Sequence, residues 1–358
     1  MAASGGLRGE RVRASRQYKD GAFRNTSGAQ PKMQGSTLPV IGEFFFGGRA
    51  RVPRGKLPVE SPLEAWSRPI SSGFRMTWLG HSTLLLEVDG FRVLTDPVFG
   101  DRASPFSFAG PKRFHAVPAT IAQLPKLDAV LLSHNHFDHL CQASMRQIAK
   151  LEVPVITSLG VGADLECMGV EPELITELDW WESHVMPGGG LSFTAAPAQH
   201  FSGRGLGDRN ETLWSSWSIA TANRRVFFSG DTGLTDEFVE IGRRLGPFDV
   251  TMLEVGAWHP AWGTIHLGPE NALRAFEMLG GGTLLPVHWG TFDLALHAWY
   301  EPAETLLGLA QARGTRLLTP ILGRPFEPAH AEGPTPWWRT VNAEAGAAQP
   351  AAPLVRES

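Results

Sequence analysis

The stretch Ser133-His134-Asn135-His136-Phe137-Asp138-His139-Leu140 packs three histidines and an aspartate into six positions. Imidazole nitrogen and carboxylate oxygen are the donors that zinc and similar borderline metals prefer. A lone histidine reads as a polar surface residue, whereas four donors this close together read as a metal site. On an extended loop, alternation aims His134, His136 and Asp138 one way and His139 the other, enough donors for two ions.

The elements that must position these donors are short strands. Asp128–Ser133 (DAVLLS) is a continuous apolar run, the pattern of a buried strand, and it leads directly into the histidines. The same event recurs three times: LSFTAAPAQ ends in His200, RRVFFSG in Asp231 and TLLPV in His288. In layered α/β proteins, sites are built at strand ends, where rigid elements hold the reacting groups. A buried histidine or aspartate needs a partner. A shared metal supplies one for all seven of His134, His136, Asp138, His139, His200, Asp231 and His288.

Around them, RMTWLGHSTLLLEVDGFRVLTDP predicts two or three strands with a turn at Asp89-Gly90. Further strands are predicted at Pro154–Thr157, Leu191–Ala196, Trp217–Thr221, Arg225–Ser229, Val250–Val255 and Thr283–Val287. Helices are expected at Ala143–Leu151, Gly162–Cys167, Thr235–Leu245, Pro269–Met278 and Ala303–Ala312. Strands and helices therefore alternate, which indicates an α/β protein. Residues 1–70 read as a basic, Gly/Pro-rich arm that docks in part, with one apolar stretch at Leu38–Phe46. Residues 71–327 read as the domain that carries these donors and 328–358 as a loose tail.

The composition suits a globular chain with a core: of 358 residues, 42% are hydrophobic and 19% charged. The net charge of -4 hides an asymmetry, since residues 1–60 carry 11 basic and 4 acidic side chains and the rest sum to -11. No basic stripe surrounds the histidines, so no nucleic-acid partner is expected. Two cysteines, Cys141 and Cys167, are too few for a disulfide framework and point to a reducing compartment. With no signal-like apolar segment and no membrane-spanning run, the expected location is cytoplasmic, with peripheral contact at a membrane surface left open. The basic arm would contribute to such contact. The oligomeric state is not legible.

His134-Asn135-His136-Phe137-Asp138-His139 matches the H-x-H-x-D-H signature of the metallo-β-lactamase superfamily, and His200, Asp231 and His288 follow in the order of its later ligands. Within it, the chain resembles the N-acylphosphatidylethanolamine-hydrolysing phospholipase D branch. The resemblance rests on TDPVFGDRASPFSFAGPKRF, LPKLDAVLLSHNHFDHL, ELDWWE, LWSSWS, FFSGDTG, GRRLGPFD and HWGTF, spanning roughly Trp78 to Phe292. The resemblance implies a four-layer αββα sandwich. It also implies two Zn²⁺ per chain, with iron or manganese as alternatives. One ion would be held by His134, His136 and His200, the other by Asp138, His139 and His288, with Asp231 bridging and orienting a water activated by both. The implied activity is hydrolysis of a phospholipid diester. A sugar-phosphate lactone or a small soluble phosphodiester remains as the alternative substrate.

The chain departs from the branch at Glu254-Val255-Gly256-Ala257-Trp258, where the lipase members carry a Pro-Ile-Gly-Ala-Tyr-like stretch. Glu254 is expected at a further strand end near the metals. His81, in Gly80-His81-Ser82-Thr83, is a candidate for orienting a ligand or for plain core packing. His266, in TIHLGPE, and His259 are candidates for substrate contact or for ordinary loop positions. The tryptophans Trp180, Trp181, Trp214 and Trp217 are expected to pack in the core.

Overall fold

In a computed structural model, residues 5–29, 50–205, 207–259 and 264–341 are described. The chain opens with helix α1 (Gly6–Ala14) and a two-strand hairpin, β1 (Tyr18–Lys19) and β2 (Ala22–Phe23). After a single helical turn, α2 (Leu63–Trp66), three antiparallel strands follow: β3 (Phe74–Gly80), β4 (Thr83–Val88) and β5 (Phe91–Thr95). Asp89 and Gly90, at φ 48 and 88, make the turn between β4 and β5; the left-handed pair matches the twist of the strands it joins. The sheet continues in parallel through β6 (Ala129–Leu132), β7 (Val155–Ser158) and β8 (Ile175–Leu178), in the order β3-β4-β5-β6-β7-β8. Helices α3 (Gln142–Ile148) and α4 (Gly162–Cys167) are its crossovers.

The second sheet is laid down next. Strands β9 (Ser183–Val185), β10 (Leu191–Ala196), β11 (Ser216–Thr221) and β12 (Arg225–Phe228) pair antiparallel. Strands β13 (Val250–Glu254) and β14 (Thr283–Val287) then extend the sheet in parallel. Helices α5 (Glu237–Leu245), α6 (Gly268–Met278) and α7 (Glu301–Arg313) complete the outer layer.

The uniform apolar runs are explained by burial on both faces. Leu84, Leu86, Val93 and Leu131 face the second sheet and share one core with Phe193, Ile219 and Phe228. Their alternating neighbours Leu85, Leu94, Val130 and Leu132 pack outward against Met145, Ile148 and Leu165 of α3 and α4. Two sheets with helices on both outer faces make the expected αββα sandwich.

Strands β8 and β9 were not anticipated. Ile175–Leu178 (ITEL) is half polar and β9 is three residues at a sheet edge, so neither has an apolar signal. The tail expected from residue 328 is corrected up to residue 341: Trp337 and Trp338 are buried, and Trp337 stacks on Trp289 at 5.4 Å, which in turn stacks on Trp78 at 5.3 Å. The aromatic area they bury outweighs the Ala/Pro/Gly character around them. Trp180, Trp214 and Trp217 are core residues and Trp181 packs against them. The arm is helical at α1, tied down by Arg8 to Glu177 at 2.6 Å and by Arg11 to Glu182 at 2.5 Å. The stretch Leu38–Phe46 lies outside the described residues. Among the described residues, no helix is long and apolar enough to cross a membrane.

Candidate metal centre

Strands β5, β6, β12, β13 and β14 end at the same edge of the sandwich, and their ends supply the site. Past β6, His139 N and Leu140 N both bond back to His136 O, at 3.0 and 2.7 Å. The donor loop therefore coils after His136 instead of running extended. This corrects the alternation expected of an extended loop: His134 and His136 stay together, and Asp138 joins His139.

Three donor groups result. The first holds His134, His136, His200 and Asp231, the second His81, Asp138, His139 and His288, and the third Asp231, His266 and His288; within each, all ligand atoms lie within 4.8 Å of one another. In the first, His136 Nδ1 is 2.8 Å from His134 Nε2 and 3.3 Å from His200 Nε2. In the second, Asp138 Oδ2 is 3.1 Å from His81 Nε2, 3.2 Å from His288 Nε2 and 3.5 Å from His139 Nε2. Asp231 stands between the two, with Oδ1 at 3.1 Å from His139 Nε2 and Oδ2 at 3.2 Å from His288 Nε2, 3.7 Å from His200 Nε2 and 3.9 Å from His134 Nε2.

The outer nitrogens fix the tautomers. His200 Nδ1–H donates to the carbonyl of Ile265 at 3.0 Å. His139 Nδ1–H donates to Asp96 at 2.7 Å, and His134 Nδ1–H donates to Ser133 Oγ at 2.9 Å, whose own hydroxyl donates to Asp96 at 2.7 Å. Each Nε2 is thereby left as a lone pair turned inward, the arrangement a metal ligand requires. His136 Nδ1 faces two of these lone pairs, at 2.8 and 3.3 Å, and one ring proton satisfies only one of them well, so the donor set fits a bound metal ion.

Charge tells the same story. Burial holds His134 and His200 well below the usual imidazole range, His136 at about 4 and His81 at about 3. For His139 and His288 the opposing effect of burial is overcome by Asp231 and Asp138, raising His139 well above its ordinary value and His288 to about 10. Burial would raise Asp138 and Asp231, but His139 and His288 pull both well below the usual carboxylate range, with His81 adding to the pull on Asp138. The buried carboxylates demand positive charge, which metal ions would supply in place of protons.

Asp96 is a site residue that the sequence reading passed over. It follows β5 as Asp231 follows β12, so the same strand-end logic would have found it. It sits at φ 31, and His81 and His288 at φ 54 and 64, backbone conformations that cost about 1–3 kcal/mol each and collect at functional sites. Gly230, at φ 53, admits no side chain, since a Cβ there would come within 2.5 Å of Ser133 Cβ.

Glu254 ends β13 and is fully buried, with Oε1 accepting from Leu267 N at 2.8 Å and from His266 Nδ1 at 3.1 Å. The His266 ring lies 5.0 Å from His200 and 5.6 Å from His288. His81 is buried within the second donor group, beyond the orienting role considered for it. His259 is half-buried and belongs to none of the donor groups found among the described residues. The N-terminal arm reaches the site as well: Asn25 holds both backbone groups of His200.

A model of the beta-lactamase superfamily domain matches residues 91–289. An uncharacterised protein of Mycobacterium tuberculosis (strain H37Rv) is 43% identical over 331 residues, covering 91% of this chain and 88% of that protein. N-acyl-phosphatidylethanolamine-hydrolyzing phospholipase D 1 of Caenorhabditis elegans is 39% identical over 253 residues, 68% of this chain and 71% of that enzyme. Among solved structures, the isothiocyanate hydrolase from Delia radicum gut bacteria superposes with a TM-score of 0.58 at 24% identity, over 71% of this chain and 98% of that one, a likeness of fold.

Proposed function

The chain belongs to the beta-lactamase superfamily and is a metal-dependent hydrolase, and on that premise we propose that it is a phosphodiesterase of the phospholipase D type acting on N-acylphosphatidylethanolamine-like phospholipids. The observation that carries this reading is the placement of Asp231 between two separate donor groups. In-line displacement at a phosphodiester needs stabilisation of both an attacking and a leaving oxygen, which a paired centre suits. The 39% identity to the nematode enzyme over 253 residues supports the substrate class.

His134, His136 and His200 would hold one zinc ion, Asp138, His139 and His288 the other, with Asp231 shared and His81 reinforcing the second. Bound there, the ions would polarise a phosphoryl oxygen and bring the pKa of a water towards neutrality. The chain's own groups do the rest. Asp231 orients the attacking water and accepts its proton. His266, which donates from Nδ1 to Glu254, keeps Nε2 as the nitrogen free to meet substrate. Asp96 and Ser133 keep the rings of His139 and His134 in one orientation.

Turnover by zinc-loaded protein tests the proposal, using N-acylphosphatidylethanolamine in micelles, a soluble aryl phosphodiester and a sugar lactone, each with and without chelator. Chelator-sensitive release of phosphatidic acid is expected. Turnover of the lactone or the soluble diester alone would remove the lipid from the proposal and leave the hydrolase.

A further inference from the structure

The loop Asp101–Phe114 forms one wall of a hollow of about 750 Å³ whose opposite side is made by residues 51–53 and 293–296. Four cationic side chains line it, Arg51, Arg102, Lys112 and Arg113, against one carboxylate, Asp293. That carboxylate is matched by Arg51, at 3.0 Å from Nε and 2.9 Å from Nη2. Arg102 and Arg113 are pinned by neutral oxygens. Arg102 donates to Ser107 O at 3.2 Å and to Gly110 O at 2.5 Å. Arg113, buried and stacked 4.8 Å over the Phe292 ring, donates to Gly100 O at 3.2 Å and to Val98 O. No ion pair to Arg102, Lys112 or Arg113 occurs among the described residues. Arg102 is thus held on neutral oxygens beside the exposed Lys112, neither of them in an ion pair, in a part of the chain that is acidic on the whole. Fixed, partly desolvated cations of this kind bind anions without reorganisation.

Two further features define the ligand. Val52, Phe114, Leu294 and Leu296 give the hollow an apolar side, and the exposed Phe106 and Phe108, their rings 5.5 Å apart, stand on the same loop as Arg102 and Lys112. Arg51, Asp293, Leu294 and Ala295 also line the small recess that reaches His288, so the hollow adjoins the metal centre. We propose that this groove is a binding site for a phosphate monoester carrying apolar tails, and that it receives the phosphatidic acid released at the metal centre. The inference rests on the phospholipase reading above. A monoester dianion gains more from Arg102 and Lys112 than the singly charged diester does, so the groove favours product over substrate.

The test uses the full, zinc-loaded chain titrated calorimetrically with dihexanoyl phosphatidic acid. Lys112→Glu and Arg102→Glu are each expected to weaken binding tenfold or more. Lys126→Glu, the same charge change at an exposed lysine outside the groove, is expected to bind as the parent does. Turnover of a soluble aryl phosphodiester should be equal in all four proteins, which shows that they are folded and metal-loaded. Dihexanoylglycerol and inorganic phosphate should each bind at least tenfold more weakly than dihexanoyl phosphatidic acid. Equal affinity of Lys112→Glu and the parent overturns the site, and equal affinity of inorganic phosphate and phosphatidic acid overturns the amphiphilic ligand. Should N-acylphosphatidylethanolamine not be turned over while the charge reversals still weaken binding, the groove stands and the substrate reading falls; turnover without those shifts has the opposite meaning.

Discussion

The side-chain amide of Asn25 grips His200 by both of its backbone groups: Oδ1 accepts from His200 N at 3.0 Å and Nδ2 donates to His200 O at 2.9 Å. The same Oδ1 accepts from Trp214 Nε1 at 3.0 Å, and Phe23, two residues earlier, is fully buried with its N–H on Asn210 O at 2.8 Å. An N-terminal segment is thereby tied to the strand end that carries a metal-type ligand. Asn25→Ala leaves two buried backbone groups unpaired, at about 1–3 kcal/mol each. It is expected to lower stability by that order and to weaken zinc binding several-fold. Chemical unfolding and a competitive chelator titration measure the two effects, and an Asn25→Ala protein with parental zinc affinity would show that the grip does not reach the site.

Asp96 accepts from three donors, Ser133 N at 2.8 Å, Ser133 Oγ at 2.7 Å and His139 Nδ1 at 2.7 Å. In Asp96→Asn one oxygen becomes an amide that must face a donor, so the His139 ring loses its anchor. Partners of this kind contribute about 10–100-fold in metal affinity or activity. The substitution is expected to fall in that range, read as zinc content after dialysis against graded chelator.

Asp231→Asn removes the negative charge that both donor groups share. Loss of turnover together with lowered zinc content is the expected result, measured by diester hydrolysis and by metal analysis of the same preparation. A variant that keeps full activity would remove Asp231 from the mechanism.

Metal removal should lower the melting temperature steeply, because the buried donor groups lose the ions that join them. An ion present at about a thousand times its dissociation constant stabilises by about 4 kcal/mol. In a domain of this size that corresponds to a drop on the order of 10 °C on chelation. Differential scanning calorimetry with and without chelator reads it directly.

His115 lies outside the donor groups, with Nδ1–H donating to Ala116 O at 2.8 Å and Nε2 at 3.3 Å from Thr291 Oγ1. Burial, aided by Arg113, pushes it down to about 3. Between pH 6.5 and about 3 the unfolded chain binds this proton and the folded chain does not, so stability falls as pH falls through that window. The slope is about 1.4 kcal/mol per pH unit per proton. His115→Gln is expected to flatten the stability profile below pH 6.5 by that amount, measured by unfolding at a series of pH values, and to leave it unchanged above.

Much of this protein was legible in the chain before any coordinates. Runs such as DAVLLS, RRVFFS and TLLPV each hold an unbroken apolar stretch because both faces of their strands are covered, and such stretches announce themselves locally. Because donors follow them directly, His134, Asp231 and His288 could be placed at strand ends from adjacency alone. Asp96 obeys the same rule and was open to the same reasoning. Strand β9 and the burial of Trp337 and Trp338 were not, since an edge strand and a tail carry no periodic pattern.

What only the tertiary structure decided concerns partners far apart in the chain. The coil after His136 sorts the donors into two groups, and its direction depends on the packing around it more than on the spacing of the histidines. Asn25 meets His200 across 175 positions, and Glu254 meets His266 only because β13 and the segment before α6 are brought together. A strand and the residue that ends it are set by neighbours in the chain, whose side-chain pattern the sequence records. Which strand ends converge is set by sheet order and packing, and these are settled by the free energy of the whole core.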